Sequence, residues 1–149
     1  MTKFHGKAFI TGILLCLAIF TGDACAGDNE VDSDPSGVYT PARGSQERKA
    51  ILDAMRREFS SHLGLEVIFV VRHLKVKDGW AWVHTWPQSP DGTQKYEDLL
   101  ALLNFRDHEW QVVEIPCTEV ENPDCIDSQT YFSRLRERFP GVPGEIFAR

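Results

Sequence analysis

Hydrophobic residues recur with helical spacing between residues 45 and 63, and charged residues separate them. This pattern predicts an amphipathic helix with one buried stripe. Ser45 is a favourable N-cap residue, and Gly64 is a favourable residue just beyond the C-terminal end. The stripe consists of Ile51, Leu52, Met55, Phe59 and Leu63.

The period changes from helical to strand-like after Gly64. Residues 65–77 are rich in Val, Ile and Phe, which is typical of a strand. The apolar positions change parity near Arg72 and His73, which predicts either a β-bulge or a first half that is buried on both faces. Asp78 and Gly79 predict a tight hairpin turn. Three further strands are predicted at residues 80–86, 99–106 and 110–117, although the leucines of residues 99–106 would also suit a helix.

A second amphipathic helix is predicted near the end of the chain, capped by Asp127 or Ser128 and ended by Pro140 and Gly141. The predicted fold class is α+β: an N-terminal helix, a four-stranded antiparallel meander and a C-terminal helix, with the helices on one face of the sheet. This element order resembles the cystatin-like and NTF2-like folds. The apolar stripe of the second helix consists of Tyr131, Phe132, Leu135 and Phe139.

Four stretches of the predicted domain have a recognisable combination of residues. They are Gly44-Ser45-x-x-Arg48-Lys49-Ala50-Ile51-Leu52-Asp53-Ala54, Val67-x-Phe69-Val70-Val71, Gly79-Trp80-Ala81-Trp82-Val83 and Trp110-x-Val112-Val113-Glu114. Together they resemble a family of small exported bacterial proteins of unknown function. The resemblance extends from residue 44 to the end of the chain. It implies export and a single domain, and it implies no catalytic or binding residues.

The first 26 residues have the three-part pattern of a secretion signal. Basic residues precede an apolar run of about 13 residues, which is short compared with the roughly 20 that span a bilayer. Ala24 and Ala26 fit the small-x-small pattern of a cleavage site before Gly27. A retained anchor and a lipoprotein acylated at Cys25 are the alternatives. The pattern predicts a periplasmic or secreted protein whose mature chain has no transmembrane segment.

Composition divides the chain into a signal peptide (residues 1–26), a flexible acidic leader (27–43) and one α+β domain (44–149). The whole chain has 16 basic and 22 acidic residues and a net charge of −6. Lys3, Lys7 and Asp23 leave with the signal, so the mature chain has a net charge of −7. This charge argues against nucleic acid as a partner. We expect a protein partner in the cell envelope.

Two cysteines, Cys117 and Cys125, remain after removal of the signal. In an oxidising compartment they predict one disulfide that fixes the loop before the last helix. Redox pairs usually have the closer Cys-x-x-Cys spacing, and two cysteines alone make a poor metal site. We therefore predict no metal and no cofactor.

The predicted strand at residues 80–86 alternates large aromatic side chains with small ones. One face carries Trp80, Trp82, His84 and Trp86, and the other carries Ala81, Val83 and Thr85. The aromatic face is either core beneath a helix or a groove for a sugar, a peptide or a partner's side chain. The small residues suggest a thinly covered outer face, which favours the core interpretation. The candidate ligand-binding residues are Trp82, His84 and Trp86, of which Trp86 is expected to be the most exposed.

The sequence contains no catalytic motif, so no catalytic residues are assigned. His73 and His84 are predicted to face each other across the hairpin, and the strand carboxylates Glu66 and Glu114 are candidates for an acid–base pair with a histidine. We predict a non-enzymatic binding module for a protein or a small ligand, using the edge from Trp82 to Pro90 or the acidic disulfide loop. The alternatives are a periplasmic inhibitor or immunity-type protein and a small enzyme with a histidine–carboxylate pair in a pocket.

Overall fold

The computed structural model describes residues 35–64, 66–119, 122 and 125–148, so the predicted signal and the first part of the leader, residues 27–34, lie outside the described residues. The four strands form one antiparallel sheet in the order β1-β2-β3-β4, which confirms the predicted α+β class and meander. No helix in the described part of the chain is long and apolar enough to cross a membrane. The elements are α1 (Gln46–Leu63), β1 (Ile68–Lys77), β2 (Trp80–Gln88), β3 (Leu99–Arg106), β4 (Glu109–Glu114), α2 (Tyr131–Arg138) and the 3-10 helix η1 (Gly144–Phe147).

Helix α1 begins and ends where the sequence predicts. The Ser45 hydroxyl accepts a hydrogen bond from the Arg48 backbone N–H at 3.2 Å, which satisfies one of the free donors of the first turn. Gly64 has a left-handed backbone with φ 64°, and its N–H donates to the Ser60 carbonyl. Both capping residues are therefore confirmed.

The β1–β2 hairpin contains the predicted bulge. Val71 pairs with Thr85 and His73 pairs with His84, so Arg72 is an extra residue on β1. The change of parity in the sequence is the consequence of this one unpaired residue. The hairpin turns at Asp78 and Gly79, which both have positive φ, as a two-residue turn requires.

The helices cover both faces of the sheet, so the prediction that they lie on one face is wrong. Helix α1 packs on the face that carries Ala81, Val83 and Leu103. Helix α2 and η1 cover the opposite face, which carries Trp82 and Leu102. A strand that is apolar on both parities is buried on both faces.

The small residues of β2 are the best-buried part of that strand, which corrects the prediction of a thinly covered outer face. Ala81, Val83 and Thr85 each have 0% exposure. Ala81 and Val83 belong to the same core cluster as Ile51 and Met55 of the 18-residue helix α1, so the helix layer covers this face. The large tryptophans fill the space under the much shorter α2 and η1.

The segment between β4 and α2 differs from the prediction at both ends. Strand β4 ends at Glu114 rather than at residue 117, and Pro116 follows, which has no N–H to donate to a strand ladder. Helix α2 begins at Tyr131 and is preceded by Thr130, which makes no side-chain capping hydrogen bond. Ser128 is not the cap, because its hydroxyl accepts a hydrogen bond from the N–H of Thr130, which precedes the helix, and not from an N–H of the helix itself.

The predicted disulfide links Cys117 and Cys125, whose Cα atoms are 4.7 Å apart. Cys125 has 0% exposure, and the Ile126 N–H donates to the Cys117 carbonyl at 3.1 Å. The bond therefore ties the end of β4 to the turn before α2, and it fixes the position of Ile126 and Asp127.

The last residues of the predicted leader belong to the folded domain. Val38 has 3% exposure and joins the core beneath α2 and η1. Tyr39 forms an isolated bridge with Val76 through two backbone hydrogen bonds of 3.0 and 2.8 Å. The domain thus begins before residue 44, the boundary that composition suggested.

Candidate ligand-binding site

The aromatic face of β2 is buried at one end and open at the other. Trp82 is 6% exposed, and its ring lies 6.0 Å from the Phe132 ring and 5.1 Å from the Phe147 ring, measured between centroids. Trp86 lies four residues further along the same face and is 42% exposed, as its position at the strand end predicted. The core interpretation therefore holds for Trp82, whereas the part of the strand at Trp86 is exposed.

A small cleft of about 110 Å³ lies on this face beside Trp82 and His84. Its walls are mainly apolar and include the rings of Trp82, Phe132 and Phe147. It adjoins a wider open depression of about 510 Å³, which also contains His84 and reaches the disulfide-bonded loop at Thr118. We call the two together the His84 cleft. Both parts are also lined by Leu100, Ile126 and Asp127.

His84 is held in position by polar and ring contacts. Its Nε2 donates a hydrogen bond to Asp98 Oδ2 at 2.8 Å. On its other side the ring stacks on His73, with centroids 6.0 Å apart and an interplanar angle of 25°. The predicted cross-strand pairing of the two histidines is confirmed. A carboxylate hydrogen bond of this kind orients an imidazole and selects its tautomer.

The carboxylate beside His84 is not one of the two that the sequence suggested. Glu66 is exposed and precedes β1. Glu114 lies at the end of β4, where it accepts hydrogen bonds from Tyr131 and Arg138 outside the His84 cleft. Burial and the nearby Glu114 carboxylate raise the pKa of Tyr131 well above its usual range. Asp98 reaches His84 because it immediately precedes Leu99, the strand partner of Thr85.

An exposed apolar patch surrounds Trp86 on the same face of the sheet. Val70 is paired with Trp86 and is 40% exposed, and Ile68, two residues earlier on β1, is 43% exposed. The Arg72 guanidinium carbon lies 4.0 Å from the centroid of the Trp86 ring, in cation–π contact. We call Ile68, Val70, Arg72 and Trp86 the Trp86 patch.

The His84 cleft is acidic at its rim. Glu97, Asp98 and Asp127 line it and are exposed, whereas no lysine or arginine lines it within the described part of the chain. Carboxylates that surround an apolar depression attract a cationic group. Among the described residues, no three His, Cys, Asp or Glu side chains are arranged to hold a metal ion.

Comparison of the chain with protein-family models, with curated proteins and with solved structures finds no match. The resemblance to small exported bacterial proteins, and that to the cystatin-like and NTF2-like folds, therefore stay predictions.

Proposed function

We propose that this protein is an exported, non-enzymatic binding module that holds a basic protein partner on the Trp86 patch and the His84 cleft. The observation that carries the proposal is an exposed, arginine-stacked tryptophan two residues along β2 from His84, which lines an acidic, aromatic-walled cleft. Tryptophan and arginine are the residue types most enriched among those that dominate binding energy at protein interfaces.

The Trp86 patch has the properties of an interface centre. Ile68, Val70 and Trp86 are each at least 40% exposed and are neighbours on two paired strands. Adjacent exposed apolar side chains of this size mark interaction sites more often than scattered single ones do. The strand backbone and the stacked Arg72 restrict the Trp86 ring before binding, which lowers the entropy lost when a partner docks.

The His84 cleft indicates the charge of the partner. A lysine or arginine side chain that entered it would place its aliphatic stem against Leu100 and Ile126 and its charged end near the rim carboxylates. The net charge of −6 for the whole chain attracts a basic protein at long range. A periplasmic inhibitor or immunity-type protein of a basic enzyme is the specific form of this proposal.

Removal of the Trp86 ring is expected to weaken partner binding at least about tenfold, because truncation of a hot-spot aromatic residue costs about 2 kcal/mol or more. The purified protein is immobilised, exposed to envelope extract, and the retained protein is identified by mass spectrometry. The Kd of the retained partner is then measured for the wild-type protein and for Trp86→Ala by biolayer interferometry.

The matched control is Phe105→Ala, because Phe105 is similarly exposed, at 46%, and packs against Trp110 of the core beneath α1. We expect this variant to keep the wild-type Kd. A partner that binds wild type and Trp86→Ala equally well would contradict the proposal, as would the absence of any retained basic protein.

The contact between His84 and Asp98 also supports a second function, acid–base catalysis by His84 with Asp98 as the orienting carboxylate. Catalysis is tested by measuring the turnover of chromogenic ester, phosphoester and glycoside substrates by the wild-type protein and by His84→Gln. Turnover that disappears in His84→Gln favours catalysis. Partner binding that depends on Trp86, without turnover, favours the binding module.

A further inference from the structure

A second cavity lies on the other side of the sheet, beneath the first turn of α1. Its volume is about 380 Å³, within the range of roughly 300–1,000 Å³ that is usual for small-molecule sites. It shares no lining residue with the His84 cleft. We call it the Tyr39 cavity, and its principal walls are Tyr39, Glu47, Ala50, Val76, Phe105 and Trp110.

Three aromatic side chains line the Tyr39 cavity and are fixed by backbone pairing. Tyr39 is bridged to Val76, and the Phe105 N–H donates to the Gly79 carbonyl at 2.8 Å. The centroids of the Phe105 and Trp110 rings are 5.4 Å apart. Phe105 is nevertheless 46% exposed, so a large apolar ring is left uncovered at the cavity.

One carboxylate faces this aromatic lining. The Tyr39 hydroxyl donates to Glu47 Oε1 at 2.8 Å. Burial and the Glu47 carboxylate raise the pKa of Tyr39 to about 12, so the hydroxyl stays a proton donor at neutral pH. No lysine or arginine lines the cavity among the described residues. Glu47 Oε2 accepts no hydrogen bond from the described part of the chain, and it is available to a ligand.

We propose that the Tyr39 cavity binds an alkylated ammonium group, placed between the aromatic side chains and the Glu47 carboxylate. Aromatic rings attract organic cations through their electron-rich faces, and a carboxylate adds direct charge attraction. The exposed methyl group of Ala50 adds apolar surface that suits the methyl groups of such a cation. A bare metal ion is disfavoured, because hard cations require several oxygen ligands.

Choline tests the charge requirement, because 3,3-dimethylbutan-1-ol is its neutral counterpart of nearly the same shape. We expect the purified full chain to bind choline saturably in isothermal titration calorimetry and to bind the neutral alcohol at least about tenfold more weakly. Equal binding of the two compounds, or no saturable binding of choline, would overturn the proposal.

Three substitutions locate the site. Glu47→Gln removes the charge, Phe105→Leu removes a ring, and Ala50→Leu fills the cavity from an exposed helix position. Each is expected to weaken choline binding at least about fivefold with a native circular dichroism spectrum. Glu58→Gln is the matched control, since Glu58 is on the same helix but does not line the cavity. A folded Glu47→Gln or Ala50→Leu variant with wild-type affinity would overturn the assignment.

Two further experiments identify the source of the ammonium group and test whether the two sites are independent. Co-sedimentation with phosphatidylcholine vesicles, lost in Glu47→Gln, assigns the site to a lipid headgroup, whereas choline binding without co-sedimentation assigns it to a free amine. Trp86→Ala is expected to bind choline normally, because Trp86 lies outside the Tyr39 cavity. Failure of the protein-binding proposal would therefore leave this one intact, and the reverse also holds.

Discussion

Replacement of Trp82 by alanine is expected to lower the free energy of unfolding by about 3–5 kcal/mol, the usual cost of removing a large buried aromatic side chain. Trp82 is 6% exposed and makes edge-to-face contacts with Phe132 and Phe147. Its removal would leave a cavity between β2 and the layer formed by α2 and η1. Urea denaturation followed by far-UV circular dichroism measures the change.

Trp86→Ala is the matched control, because it removes the same side chain from the same face of the same strand. Trp86 is 42% exposed and stacks on Arg72, so we expect a smaller loss of about 1–2 kcal/mol. Acrylamide quenching of the single Trp→Phe variants should agree, with Trp86 quenched and Trp82 protected. Equal destabilisation by the two alanine variants would contradict the coverage of Trp82 by α2 and η1. The contrast also shows which residue can test binding, since only Trp86 can be truncated without loss of the fold.

Local chemical signals explain why much of the fold could be predicted. Ser45 and Gly64 mark the ends of α1 through backbone hydrogen bonds that involve only their own helix. The turn at Asp78 and Gly79 follows from residues that tolerate positive φ. The bulge at Arg72 appears as a change of parity within one strand. None of these features depends on distant parts of the chain.

The layer arrangement could not be predicted from the same signals, because both faces of β2 are apolar. The small size of Ala81 and Val83 suggested exposure, but small residues also pack well in a core, and in this fold both are fully buried in the core beneath α1. Size alone does not distinguish the two cases. The choice between them depends on which helix packs on which face, and that is decided by tertiary packing.

The candidate site shows the same division between local and distant determinants. The exposure of Trp86 follows from its place at the end of a strand, next to a proline-containing loop. The pairing of Asp98 with His84 depends on the β2–β3 register, which the sequence of the intervening loop does not reveal. The position of Asp127 in the cleft depends on the turn that the disulfide fixes. Two of the three rim carboxylates beside His84 are adjacent in sequence, and the third comes from beyond β4.

Loss of the bond between Cys117 and Cys125 is expected to lower the free energy of unfolding by about 2–3 kcal/mol, because the open chain gains conformational entropy in the unfolded state. The closed segment is short, with a sequence separation of 8, which places the effect at the low end for native disulfides. Urea midpoints of the wild-type protein with and without dithiothreitol measure it.

The double variant Cys117→Ser with Cys125→Ala is the control for the reductant, since it should unfold at one midpoint with or without dithiothreitol. If the oxidised and reduced wild-type proteins unfolded at the same urea midpoint, that result would contradict a stabilising disulfide. The disulfide should also hold the wall of the His84 cleft in place, because Ile126 directly follows Cys125 and lines the cleft. Reduction is therefore expected to weaken the binding of a partner side chain in the cleft. The choline affinity of the Tyr39 cavity should stay unchanged, since none of its lining residues belongs to this loop.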